Sequence, residues 1–202
     1  TTFYPEGGGQ IGDTGKLISS ADEIQVIDSY RDSGDIIHLT KKLPTNLESQ
    51  VKLKIATKRR SLIEANHTGT HLLHQALRNI LGDHVEQRGS MISDEMFRFD
   101  FSHPSKLSSS DLHSINSFVN SKIKESIPLV ENREEDYETA INNGAIGLFT
   151  EKYEDKVRTV KFDESYELCG GTHAKNTSKL KTFSIISEVS QAFGIRRITA
   201  TC

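Results

Sequence analysis

Apolar residues recur at every second position in four short segments near the start of the chain: "KLIS", "EIQVIDSY", "DIIHLTKK" and "QVKLKIA". Gly, Asp, Ser or Pro bounds each of them, and period-two patterning between turn formers predicts a small antiparallel β unit, barrel-like or meandering, over residues 1–56. At Lys58 the period changes. From Lys58 to Leu81 the residues Leu73, Leu77, Ile80 and Leu81 fall at helical spacing, and Gly82 supplies a stop. "MFRFDFSH" alternates again and predicts a strand. "SSDLHSINSFVNSKIKES" predicts a helix whose start is marked by Ser110 and Asp111, and Pro128 closes that stretch. "NREEDYETAINN" is charged and predicted helical, ending near Gly144. In the last third "KVRTVKF", "TFSIISEVS" and "IRRITAT" read as strands, with "SQAFG" as the turn between the last two. The pattern therefore predicts an α+β fold: a glycine-rich, β-barrel-like subdomain over 1–56, then an antiparallel sheet covered by helices over 57–202.

Composition narrows the class. The 202 residues are 35% apolar and 26% charged, an ordinary globular balance, with no apolar run that would span a bilayer and no signal-peptide pattern. The first residue is Thr1, set in what reads as structured sequence, so a piece of a larger protein is expected. Two cysteines, Cys169 and Cys202, cannot frame a domain of this size with disulfides, which points to the cytoplasm. A net charge of −3 gives no dominant attraction to nucleic acid, so such a partner has to be held by local patches. Lys52, Lys54, Lys58, Arg59 and Arg60 form one such cluster and Arg196 with Arg197 another; each alone reads as solvated surface.

Candidate chemistry gathers at two places far apart in sequence. His67 and His71 are four apart on the predicted helix, so both imidazoles emerge on one face about a turn apart. Cys169 and His173 are also four apart, but Gly170 and Gly171 between them favour a tight turn that brings sulfur and imidazole to one point. Either pair alone reads as ordinary surface or turn residues. Together, with a loop-held cysteine that has no packing rationale, they point to one metal ion, and a thiolate with three imidazoles suits a zinc tetrahedron. His74, further along the helix, is a spare candidate. No glutamate follows His67, which argues against the metalloprotease pattern His-Glu-x-x-His. Whether the ion is structural or catalytic stays open at this level.

Several longer stretches carry a resemblance. "FYPEGGGQIGDTG" from Phe3 to Gly15, "NHTGTHLLHQALRNILGDHVEQRGS" from Asn66 to Ser90, "FRFDFSH" from Phe97 to His103, "LFTEKYEDKVR" from Leu148 to Arg158 and "ELCGGTHAKNT" from Glu167 to Thr177 resemble, in order, the editing region of the alanyl-tRNA synthetases. Threonyl-tRNA synthetases carry a similar histidine pair and cysteine turn, and free-standing editing proteins share the glycine motif and the metal ligands. "EGGGQIGD", "CGGTH" and "HVEQRGSM" running into "FRFDFSH" favour the alanyl synthetases. Thr150 and Glu154 stand where that family often shows glycine.

The resemblance implies hydrolysis of the ester that joins serine or glycine to the end of alanine tRNA. Binding alone cannot reject these amino acids strongly when one methyl or one hydroxyl separates them from alanine. It implies roles in positioning substrate and water for Thr70 and Gln87. Thr70 can donate and accept beside the metal, though a helix threonine also commonly bonds back to its own backbone, and the Gln87 amide can orient water without adding charge. Gly7, Gly8, Gly9 and Gln10 are implied to form part of the pocket wall near the substrate. The implied cofactor is one zinc ion, with ATP confined to an aminoacylation domain outside this sequence. The implied partners are the acceptor end of alanine tRNA carrying serine or glycine and the remaining synthetase domains, with no membrane. A free-standing deacylase and a zinc-stabilised tRNA-binding module without chemistry are the alternatives.

Overall fold

The computed structural model describes residues 1–147 and 153–202. The four alternating segments at the start become β1 (Gly15–Ile18), β2 (Glu23–Asp32), β3 (Asp35–Thr40) and β4 (Lys52–Ile55), all paired antiparallel. Their order is β3–β2–β1–β4, so the barrel-like expectation takes the form of an open sheet with β3 and β4 at its edges. Ser33 and Gly34, both at positive φ, make the two-residue turn between β2 and β3, where a turn of primed type follows the twist of the strands.

The chain then enters α1 (Thr57–Leu81), which stops at Gly82 as its sequence predicts. No side chain caps its first turn; the Ala56 N–H donates to Thr14 O, which ties the helix entry to the first sheet. Between Ile63 and Leu77 the helix is buried nearly all round, with His67, His71 and His74 among the buried residues. Such a helix lies inside a fold rather than on its surface. It contacts β5 (Gln87–Ile92) and β6 (Phe97–Ser102), and Phe97, Phe99 and Phe101 alternate inward on β6 to build the main core with Leu72, Leu73 and Leu77.

Strand β6 lies inside the second sheet, ordered β10–β11–β6–β5, with β10 (Ser184–Ala192) and β11 (Ile195–Thr201). Strand β10 continues through Ala192, which narrows the expected "SQAFG" turn to Phe193 and Gly194. Helix α2 (Ser109–Lys124) packs against α1. Its N-cap is Ser108 and Asp111 is N3 of a capping box, so the start lies just ahead of the Ser110–Asp111 pair that marks it in sequence. Among the described residues, no helix is long and apolar enough to cross a membrane.

The third sheet, β7–β8–β9, corrects one expectation. "NREEDYETAINN" is not a single helix: β7 (Val130–Asp136) takes its first half and only α3 (Tyr137–Asn142) is helical, capped by Asp136. The charges that suggest a solvated helix are satisfied across the sheet. Arg158 on β8 (Lys156–Phe162) donates to Glu131 at 2.9 Å, and the Tyr166 hydroxyl on β9 (Ser165–Leu168) donates to Glu135 at 2.8 Å.

Beyond the cysteine turn, the Thr177 hydroxyl donates to Lys122 O at 2.7 Å and accepts from the Ile127 N–H at 2.9 Å, which pins the short 3-10 turn Thr177–Leu180 to the end of α2. Thr177→Val keeps the shape and removes both bonds at a fully buried position. Its expected cost is about 1–3 kcal/mol of unfolding free energy, read from the shift of the urea midpoint at constant m-value.

Candidate metal centre and cavity

The four residues expected to share an ion come together: one ligand atom from each of His67, His71, Cys169 and His173 lies within 4.8 Å of all the others. Helix α1 supplies the first two, one turn apart on its buried face. Cys169 follows β9 directly, and its Sγ stands 3.4 Å from His67 Nε2 and 3.3 Å from His173 Nε2. The turn is held from outside by Arg158, whose Nη1 donates to Cys169 O and to Gly171 O, each at 2.6 Å. Gly171 packs so closely on His67 that a Cβ there would overlap the imidazole.

Burial, with neighbouring imidazoles second, holds His67 and His173 well below the ordinary imidazole range. His71 is lowered by burial against the pull of Glu167. Burial also pushes the Cys169 thiol up to about 12. Burial therefore favours the neutral, ligating form of the imidazoles, whereas the thiol has to release its proton when a metal is captured. The His71 Nδ1 is buried with no hydrogen-bond partner among the described residues. Three imidazoles and a thiol turned toward one another form a donor set that fits a zinc ion.

His74 stands outside this group and faces Glu167, with Nδ1 3.1 Å from Oε1. Glu167 also lies 3.8 Å from His71 Nδ1. Burial works against the Glu167 charge, but His71 and His74 outweigh it and hold the carboxyl below its ordinary value.

A cavity of ≈ 800 Å³ opens beside the cluster, and His67, His71 and Cys169 all reach its wall. Thr70, Gln87 and Gly8 line it too, as does Ser90. The Thr70 hydroxyl donates to Asn66 O at 2.9 Å, the back-bond open to any helix threonine. The Gln87 Nε2, at the start of β5, donates to Ser90 Oγ at 3.2 Å. Glu154 lines the cavity, whereas Thr150 lies outside the described residues.

Gly9 and Gln10 are not on the wall. Gly9, at φ 81°, packs its backbone on Ser90 where no Cβ fits, and its carbonyl accepts from the Ile92 N–H. Gln10 is fully buried, its amide engaged by His67 and Thr172. Gln10 supports the wall from behind, and Gly9 ties the glycine loop to β5. The basic clusters also look inward: Arg60 pairs with buried Asp13, Arg59 with Asp94, Arg197 with Asp100 and Arg196 with Glu188. Lys52, Lys54 and Lys58 remain exposed. Thr68, Arg158 and Glu167 also hold the site, and sequence gives no signal for them, since each acts on a residue remote in the chain.

The class follows from comparison with known proteins. The family described as "Threonyl and Alanyl tRNA synthetase second additional domain" matches residues 157–199, which carry Cys169 and His173. The alanine–tRNA ligase of Christiangramia forsetii is 52% identical over 99% of this chain and 23% of its own length. Those of Flavobacterium psychrophilum and Salinibacter ruber are 46% and 43% identical over 99% of this chain, with 24% and 21% of their own lengths covered. This chain belongs to the alanyl-tRNA synthetase family. It spans about a quarter of the length of the curated relatives it matches.

Proposed function

We propose that this region is the editing site of its family, a cytoplasmic hydrolase of the ester in alanine tRNA mischarged with serine or glycine. The intact synthetase would ligate alanine to the same tRNA using ATP. The observation that carries the reading is the shared wall: three of the four donors, His67, His71 and Cys169, face one cavity with the polar groups Thr70, Gln87 and Ser90.

A zinc ion held by His67, His71, Cys169 and His173 would supply positive charge and rigidity at this wall and, with four protein donors, would order the pocket rather than bind substrate directly. The residues do the rest. The Thr70 proton is held by Asn66 O, so its oxygen is left to accept, and a serine hydroxyl is a donor that alanine lacks. A site built around such a bond discriminates by leaving its own group unpaired when the hydroxyl is missing. The Gln87 carbonyl oxygen, with no partner among the described residues, would orient a water on the ester carbon while its amide nitrogen is steadied by Ser90. The ester is already activated, so positioning is the main requirement.

Serine-charged alanine tRNA is the test substrate. Gln87→Ala is expected to slow deacylation by about 100-fold with tRNA binding unchanged. Binding without turnover by the wild-type chain would instead identify a tRNA-holding module.

A further inference from the structure

Gln10 links three parts of the molecule at one side chain. Its backbone closes a bridge with Gly7 and another with Ile92, which fixes it between the glycine loop and β5. Its Oε1 accepts from the Thr172 N–H at 2.9 Å and stands 2.7 Å from His67 Nδ1, and its Nε2 donates to Thr172 Oγ1 at 3.0 Å. A backbone N–H can only donate, so the amide atom facing Thr172 N has to be the oxygen. That same oxygen faces His67, so His67 carries its proton on Nδ1 and turns the Nε2 lone pair toward Cys169.

The other imidazoles lack an equally directive partner. Thr68 Oγ1, 3.2 Å from His173 Nδ1, is a hydroxyl that can turn to donate or accept, and Glu167 lies 3.8 Å from His71 Nδ1. Among the described residues, Gln10 alone ties a helix ligand to the cysteine turn through one side chain.

We propose that Gln10 is a metal-positioning residue: it sets the His67 tautomer, locks that ring to the Cys169–His173 turn, and so makes zinc affinity depend on the glycine loop of the first sheet. The inference rests on the zinc reading above. An acceptor on a ligand histidine's second nitrogen raises its basicity and fixes its orientation, and loss of such a partner typically costs 10–100-fold in metal affinity.

The test compares the wild-type chain with Gln10→Met, which keeps the length and removes the acceptor, and Gln10→Glu, which keeps an oxygen for His67 and Thr172 N while the Thr172 hydroxyl turns to donate. Zinc affinity is read by competition with a chromophoric chelator, and the visible spectrum of the cobalt-loaded chain reports ligand geometry. Melting of the metal-free chains separates folding from binding. Gln10→Met is expected to bind zinc about 10–100-fold more weakly with an altered cobalt spectrum, in a metal-free chain that still melts cooperatively but at a temperature lowered by several degrees, because the Thr172 N–H and His67 lose their acceptor. Gln10→Glu is expected to bind at least as tightly as the wild type. A Gln10→Met chain with wild-type affinity and spectrum overturns the inference, as does a Gln10→Glu chain weakened as much as Gln10→Met. Should Gln10→Met not fold, the Gln10→Glu affinity alone decides: at least wild-type supports the inference and about tenfold weaker overturns it. A wild-type chain that takes up no zinc overturns the zinc reading itself.

Discussion

Gly171→Ala is expected to abolish zinc uptake while Gly170→Ala leaves it intact. An added Cβ at Gly171 would overlap the His67 ring and stand 3.0 Å from Gln10 Oε1. The ring has no room to yield, because His173 packs at 4.2 Å between centroids, His71 at 5.3 Å and Gln10 holds Nδ1. Gly170 has nothing within 4 Å of its would-be Cβ and serves as the matched control. Zinc per chain after dialysis is the readout, with a fall in affinity beyond about 100-fold expected at Gly171, more than an outer contact alone produces. Deacylation should fail in parallel. One zinc held per Gly171→Ala chain would show that the ion does not need His67 in this place.

The second large effect concerns stability. Asp13 is 2% exposed; its carboxylate accepts from the Tyr4 N–H at 2.7 Å and from Arg60 Nε at 2.9 Å, with Arg60 Nη2 as a further donor. Asp13→Ala leaves a guanidinium and a backbone donor without their acceptor where water reaches poorly. Glu64, 3.8 Å from Arg60 Nη1, compensates only in part. Breaking one side of such a buried pair costs about 3–5 kcal/mol, and the lower end is expected here, read as a shift of the guanidinium midpoint. A loss below about 1 kcal/mol, the range of exposed pairs, would mean the contact behaves as surface chemistry. Asp13→Asn should recover part of the loss, because its carbonyl still serves Tyr4 N.

How far the sequence reveals this molecule depends on the reach of each signal. The His67–His71 pair is legible because four residues is one helical turn, and the cysteine turn because two adjacent glycines favour a turn over a helix. β6 is legible from its alternating phenylalanines. β7 is not, since Glu131, Arg133 and Glu135 give no apolar period and the partners of Glu131 and Glu135 on β8 and β9 lie well down the chain. β5 hides for another reason: the register shift between Gln87 and Gly89 breaks its alternation. Gln10 reads as part of a flexible glycine turn until the fold delivers Thr172 and His67 to its amide. The arginine clusters show the same limit, because the acids that neutralise them come from other elements.

Cys169 and His67 lie 102 positions apart, and β5, β6, α2, β7, α3, β8 and β9 are strung between them. An ion gripping both ends would act as a clasp on that length of chain. It would restrict the disordered ensemble much as a covalent cross-link does, an entropic contribution on the order of 4–5 kcal/mol for a loop of that size. Chelation would then loosen two sheets and two helices at once, and the coherence of the domain would follow the local supply of a trace element.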